Sequence, residues 1–377
     1  MSRKGARAAG LLRGLCLALL VLCALEGAAS WFGFGYDLVR NARPALAERA
    51  HTEYDPELGW VSRCNERAAD LYGPGRGLST NARGFRGTRE TELDRPSGRL
   101  RVLCSGDSFT LGYGVGDADT WPAQLERLAP QAECVNLGQG GYGIDQSGLW
   151  FLRAGAPLEH DWHLFAFIAD DFERMRSDDF QGYGRPLLAL DGQQLRIANA
   201  PVSQRGLRWP WLTQNRELFE SLRLVQLAQR GFAKLGAGQG PLARDVRVLE
   251  PEQARAIASA LFAQLEQRAR ESGARLVLVH LPARDRAAPG GFMRLSGWAR
   301  AALDEARARG TRCIDLHSDF ERLAALELDA LYIAHGELDY PGAAGHYSAA
   351  GNAFAAQALL RALRAVDPAW PQVADAR

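Results

Sequence analysis

Five short apolar runs punctuate the middle and end of the chain. They are Leu100-Arg101-Val102-Leu103-Cys104, residues 133–137, Leu164-Phe165-Ala166-Phe167-Ile168, Leu276-Val277-Leu278-Val279-His280-Leu281 and Cys313-Ile314-Asp315-Leu316. Runs of this length and apolarity predict strands buried on both faces. Helical periodicity lies between them. Trp121, Leu125 and Leu128 share one face over about 120–129, and residues 145–153 continue the alternation. Ile257, Leu261, Leu265 and Ala269 recur at four-residue spacing before Gly273, and Gly310 stops a helix over about 296–309. A last helix is expected over 348–365, with Ser348 as its N-cap. Strands alternating with helices predict a parallel, doubly wound α/β sheet.

Residues 175–250 break this rhythm. Leu187–Ile197 suggests a small hairpin turning at Asp191-Gly192. Trp209-Pro210-Trp211 follows, then an amphipathic stretch in which Leu218, Leu222 and Val225 share a face. An insert this long in a compact domain is either a lid over the catalytic edge or a peripheral excursion. Before the first strand, residues 37–97 form a polar, glycine-rich leader containing Asn81-Ala82-Arg83-Gly84-Phe85-Arg86-Gly87. It is expected to be irregular structure packed beside the domain or to contribute to substrate binding. The organisation expected is therefore residues 1–36 apart, a leader over 37–97, a domain over 98–365 with its insert, and a tail over 366–377.

The N-terminal segment is an export signal. Arg3, Lys4, Arg7 and Arg13 precede the apolar run Leu15–Leu25. That run is shorter than the ~20 residues that span a bilayer, and Gly27-Ala28-Ala29 offers a small-residue cleavage site. Trp31, Phe32, Phe34 and Tyr36 instead form an interfacial aromatic belt suited to an uncleaved anchor. Either way the basic residues stay in the cytoplasm and the bulk of the chain is exported. Neither Cys16 nor Cys23 follows the small residue of a lipoprotein signal. An exported domain could pair Cys64, Cys104, Cys134 and Cys313, or bury them as small strand residues. A net charge of +1 excludes the basic excess of a typical nucleic-acid-binding protein. No Cys-x-x-Cys or His-x-x-x-His spacing suggests a metal site, and no cofactor is expected.

The first strand runs into Gly106-Asp107-Ser108-Phe109-Thr110, which holds a serine hydroxyl at the carboxyl edge of the sheet, where chemistry gathers in open α/β folds. Late in the chain, Gly345-His346-Tyr347-Ser348-Ala349-Ala350-Gly351-Asn352 sets a histidine just before the final helix. A serine needs such an imidazole to take its proton. In this architecture His280, at the end of another strand, reads as structural rather than as a competing base. Asp170 and Asp171, taken as the continuation of a strand, would point to opposite faces and so could not share a proton. Nothing in the spacing asks for a metal between Asp170 and Asp107.

These residues resemble the SGNH, or GDSL, hydrolases. Gly106-Asp107-Ser108 matches the first block of that family, and Val135–Gly143 the second, with Gly141 at the oxyanion-hole glycine. His346 with Ser348 and Gly351-Asn352 matches the last block, and the likeness covers roughly residues 98–365. The Asn-x-x-Gly-Phe-Arg-Gly leader is similar to that of membrane-anchored members. The resemblance implies a flavodoxin-like three-layer α/β/α sandwich and a serine esterase, acylhydrolase or O-acyl transferase. Its substrate would be an acylated small molecule, glycan or lipid. It makes Ser108 the nucleophile and His346 the base, with the Ser108 and Gly141 amides as oxyanion donors and Asp107 as the structural acid of the motif. Two positions depart from the pattern. Asp170 stands where the family has the asparagine that donates to the oxyanion, and an ionised carboxylate cannot donate. Ala343 stands three residues before the histidine, where an acid is usual, leaving Asp339 and Glu337 as the nearest candidates, or a Ser-His dyad. These departures keep open a second reading, a catalytically impaired relative that binds a glycan or an envelope partner.

Overall fold

The computed structural model describes residues 3–40, 51–202 apart from Gly182 and Gln193, 222–234, 246–285, 291–340, 342–367 and Trp370. The chain divides into two compact units. One comprises residues 1–45 and 204–245, and the other residues 46–203 and 246–377.

In the first unit a helix covers Arg3–Arg40, longer than the segment expected from the apolar run alone. Its stretch Leu12–Phe32 is 21 residues long with mean hydropathy 2.0, enough by length and composition to cross a membrane. Glu26, which interrupts the apolar run, accepts hydrogen bonds from the Arg223 amide at 2.5 Å and the Leu224 amide at 3.0 Å. It thereby satisfies two amides at the start of the helix Arg223–Lys234, which would otherwise lack intrahelical partners. Val225 of the expected amphipathic stretch lies in this helix. Leu222 precedes the helix, and Leu218 and Trp209-Pro210-Trp211 lie outside the described residues.

The second unit is built on one parallel sheet. Its strands are β1 (Leu100–Ser105), β2 (Ala132–Asn136), β3 (Trp162–Phe167), β4 (Arg275–His280) and β5 (Arg312–Asp315), in the order β5-β4-β3-β1-β2. Read from the other edge this is the flavodoxin-like order, and the sequence-adjacent strands β2 and β3 flank β1. The direction of winding reverses at β1, so the crevice beside its carboxyl end is the topological switch point.

Alternate residues of the strands feed two cores. Val102, Cys104, Leu164, Ala166, Val277 and Val279 face α2 (Trp121–Leu128) and the terminal helix α9 (Ala349–Val366). Leu103, Phe165, Phe167, Leu276 and Leu278 face α3 (Ile144–Trp150), α5 (Pro251–Ser272) and α6 (Gly297–Ala308). Burial on both faces explains the near-continuous apolar runs and makes the three-layer sandwich. Each wholly buried large apolar side chain adds about 1.5–3 kcal/mol. Local signals place the helices. Thr120 accepts from the Ala123 amide at the start of α2, Pro251 opens α5 and Gly273 closes it in the left-handed region (φ +70°), and Ser348 accepts from the Gly351 amide at 3.1 Å.

Several boundaries differ from expectation. The leader holds two small antiparallel pairs, Thr52–Asp55 with Gly59–Ser62 and Arg67–Ala68 with Leu78–Ser79. The expected hairpin of the insert is present as Leu188–Asp191 and Gln194–Ile197. The tail is not wholly outside the fold, because Trp370 is buried edge-on against Trp162 with centroids 4.9 Å apart. All six cysteines are unpaired, and Cys104 and Cys134 are buried strand residues.

Candidate active site

The turn that carries Ser108 is made by three adjacent residues. Any side chain at Gly106 would place its Cβ 2.6 Å from the Ala166 carbonyl oxygen, so glycine lets the turn lie against β3. Asp107 caps the single-turn helix α1 (Ser108–Leu111) by accepting from the Phe109 amide at 2.9 Å. Ser108 follows, only 4% exposed. Its Oγ lies 2.7 Å from Nε2 of His346 and 3.4 Å from Oδ2 of Asp107. The imidazole belongs to the loop before α9, fixed by the Ile333 amide donating to the His346 carbonyl at 2.8 Å. Its ring rests on Phe109 and Tyr113, with centroids 4.7 and 5.2 Å away. Residues far apart in sequence thus meet at hydrogen-bond distance beside the switch point.

The chain resembles the SGNH hydrolases. Its sequence matches no family model and no curated protein. Among solved structures it is similar to the lipase/acylhydrolase from Enterococcus faecalis, at 13% identity and TM-score 0.39 over 71% of this chain and 96% of that one. A member of the lipolytic G-D-S-L family from Veillonella parvula gives 12% identity and TM-score 0.31, over 70% and 97% of the two chains. A two-domain esterase active on acetylated mannans gives 12% and 0.37, over 74% and 52%.

The loop after β2, residues 137–143, packs against this turn, with the Gln139 amide donating to the Gly106 carbonyl at 3.0 Å. Gly141 adopts φ +72°, and a Cβ there would lie 2.7 Å from the Phe180 ring, so both backbone and space require glycine. The leader holds this loop. The Trp60 indole donates to the Gly140 carbonyl at 2.8 Å, the amide and hydroxyl of Ser62 both donate to Gln139 Oε1 at 2.9 Å, and Tyr142 donates to the Trp60 carbonyl at 2.5 Å. Arg86, in the Asn-x-x-Gly-Phe-Arg-Gly stretch, gives its guanidinium to the carbonyls of Leu111, Val115 and Gly77 and to Asp117. Of the two roles open to the leader, packing is the one visible in these bonds. Asn136 ties this loop to the Ser108 turn, donating to the Thr110 carbonyl at 2.8 Å.

Asp170 and Asp171 do not continue β3. They open the helix α4 (Ala169–Arg174), so the expected strand alternation does not apply. Acidic residues in a first helical turn complement the exposed amides there. Asp171 accepts from the Ile168 amide at 3.0 Å. It is buried beside Asp107, and both contact one guanidinium. Arg174 Nη1 lies 2.8 Å from Asp171 Oδ1 and 3.3 Å from Asp107 Oδ2, and it donates to the Tyr142 carbonyl at 3.0 Å. Arg174 also pairs with Asp170 at 3.0 Å, while Arg176 binds Glu173 instead. Burial pushes the Asp107 carboxyl up, only partly offset by Arg174 and the Phe109 amide. Burial and the charge of Asp107 push Asp171 well above the usual carboxylate range. Both shifts run in the same direction and favour the uptake of a proton by this buried pair. Arg174 stays charged: burial opposes this, but Asp171, Asp107 and Asp170 outweigh it.

At the remaining departure, Ala343 is fully buried among Tyr72, Leu111, Tyr113 and Ile333. Glu337 accepts from the Ala334 amide and approaches Arg76 at 3.9 Å. Asp339 is an exposed residue in the bend before Tyr340. Sequence reasoning overlooked the buried pairing of Asp171 with Asp107 and the clasp made by Arg86. Acidic residues immediately after an apolar run were the available signal of a helix start.

Proposed function

We propose that this chain is an extracytoplasmic serine acyl hydrolase or O-acyl transferase of the SGNH type, held at a membrane by its N-terminal helix. The reading rests chiefly on the 2.7 Å contact between Ser108 Oγ and His346 Nε2 beside the switch point of the sheet. His346 takes the proton as Ser108 Oγ attacks an ester carbonyl, and the ester is replaced by an acyl-serine. The amides of Ser108 and Gly141 receive the charge developing on the carbonyl oxygen. His346 then returns the proton to the leaving alcohol. Water or a sugar hydroxyl attacks the acyl-serine in the second half-reaction, giving hydrolysis or transfer. Ester-linked acyl groups of glycans or lipids are the substrate class. Asp170 is compatible with this chemistry because its charge is met by Arg174 and two backbone donors serve the oxyanion without it.

The test is labelling by an activity-based fluorophosphonate with the full chain in detergent. Wild type should label at Ser108 and hydrolyse short-chain aryl esters, and Ser108→Ala should do neither. Labelling that persists in folded Ser108→Ala refutes the assignment. Absence of labelling and turnover in wild type favours the glycan- or envelope-binding alternative.

A further inference from the structure

The same sheet edge carries a second cluster that the acyl chemistry does not use. His280 is the last residue of β4, Asp315 the last of β5, and His317 the first of α7 (His317–Glu321). The donor atoms of the three side chains all lie within 4.8 Å of one another. Asp315 Oδ1 is 2.7 Å from His317 Nδ1, and Oδ2 is 3.5 Å from His280 Nδ1. The two rings are 4.2 Å apart, centroid to centroid. Both histidines are 7% exposed, and Nε2 of each is buried without a hydrogen-bond partner among the described residues.

We propose that His280, Asp315 and His317 form a binding site for one divalent transition-metal ion of the zinc class. Two imidazoles and one carboxylate are the donor set that zinc, cobalt and nickel accept, whereas magnesium and calcium demand an oxygen shell. Bonds of about 2.0–2.1 Å place neighbouring donors of a tetrahedral ion roughly 3.3 Å apart. The His280–Asp315 separation already meets this, and small side-chain rotations bring in the third donor. Asp315 is half exposed, giving an ion a way in. A cavity of about 180 Å³, lined by His280, Asp315, Arg300 and Arg307 among others, adjoins the cluster and leaves room for a further ligand. Its arginines make that ligand an anion or hydroxide rather than a second cation. Spacing rules miss the site because His280 and the Asp-x-His pair lie on different strands and meet only in the folded sheet.

The full chain in detergent, stripped with chelator and dialysed, is titrated with zinc chloride alone and with cobalt chloride alone. The expected result is one equivalent bound per chain at micromolar affinity or tighter. Cobalt should show the visible absorption of a four- or five-coordinate ion with nitrogen ligands. His280→Gln and His317→Gln should each weaken binding at least tenfold and abolish the rise in Tm that zinc gives wild type. His346→Ala should leave both unchanged. Asp315→Asn, a polar change at a half-exposed position, provides a variant expected to fold if the histidine variants do not, and it too should weaken binding. The proposal is overturned if wild type binds no stoichiometric metal, or if folded His280→Gln or Asp315→Asn binds as wild type does.

Discussion

On one flank of Ser108 a single imidazole lies on the rings of Phe109 and Tyr113, while on the other Asp107, Asp171 and Arg174 form a buried polar cluster. The first flank is apolar, partly open to solvent, and offers Ser108 one short hydrogen bond. The second is buried, and its groups are committed to backbone amides, a carbonyl and one another. A group that must take up and release a proton in each turnover needs the former setting. A group that must hold a turn unchanged needs the latter. Sequence proximity misleads about this division, because Asp107 adjoins Ser108 yet belongs to the scaffold, whereas His346 comes from the other end of the domain.

The sharpest division should appear with His346→Ala, which should cut ester turnover by about 10²–10⁴ while leaving the thermal midpoint nearly unchanged. A comparable loss of stability would place His346 in the scaffold. Arg174→Leu should do the reverse. It leaves two buried carboxyl groups without their cation, and removing one member of a buried ion pair costs about 3–5 kcal/mol. Denaturant unfolding of the two proteins measures this, and an unchanged midpoint would show that the charged flank holds nothing.

Asp171→Asn sharpens the comparison through pH. The folded-state pKa of Asp171 is raised, chiefly by burial, so the native chain binds more protons here than the unfolded one. The contribution of Asp171 to stability is therefore full below the unfolded value, near 3.9. It falls as pH rises from there toward the raised folded value. The asparagine variant should lose that decline. Unfolding curves collected from pH 4 upward test it, and identical slopes in the two proteins would contradict a raised Asp171 carboxyl. The smallest effect is expected at Asp170, whose side chain is 40% exposed. The partly exposed pair with Arg174 contributes less than about 1 kcal/mol. Asp170→Asn should raise aryl-ester turnover by less than the ~10²–10³ that an oxyanion donor is worth. A fall in turnover would give the carboxylate an active role.

The sheet was legible because its strands are buried on both faces and therefore apolar throughout. Gly106-Asp107-Ser108 and His346 were legible because each sits where a strand or loop meets a helix at the carboxyl edge. What escaped was lateral. Asp171 was read as part of a strand because it follows Phe167-Ile168 without a break, and only its amide bond at the head of α4 reveals otherwise. Nothing local in Arg86 or Arg174 says which carbonyls and carboxylates they meet, since those partners come from other segments. Nor does anything local in the helix Arg223–Lys234 say that its first amides meet Glu26, far away in sequence.

The bonds from Trp60, Ser62 and Arg86 into the loops around Gly141 and Ser108 also redraw where the folded domain begins. A boundary placed at residue 98, where the alternating α/β pattern starts, would discard the donors that hold Gln139, Gly140 and Leu111. The leader is thus a template on which the loop around Gly141 is cast, and the smallest chain that keeps that loop's shape includes it. A protease that cut within the leader would loosen the loop beside Ser108 while leaving Ser108 and His346 themselves intact.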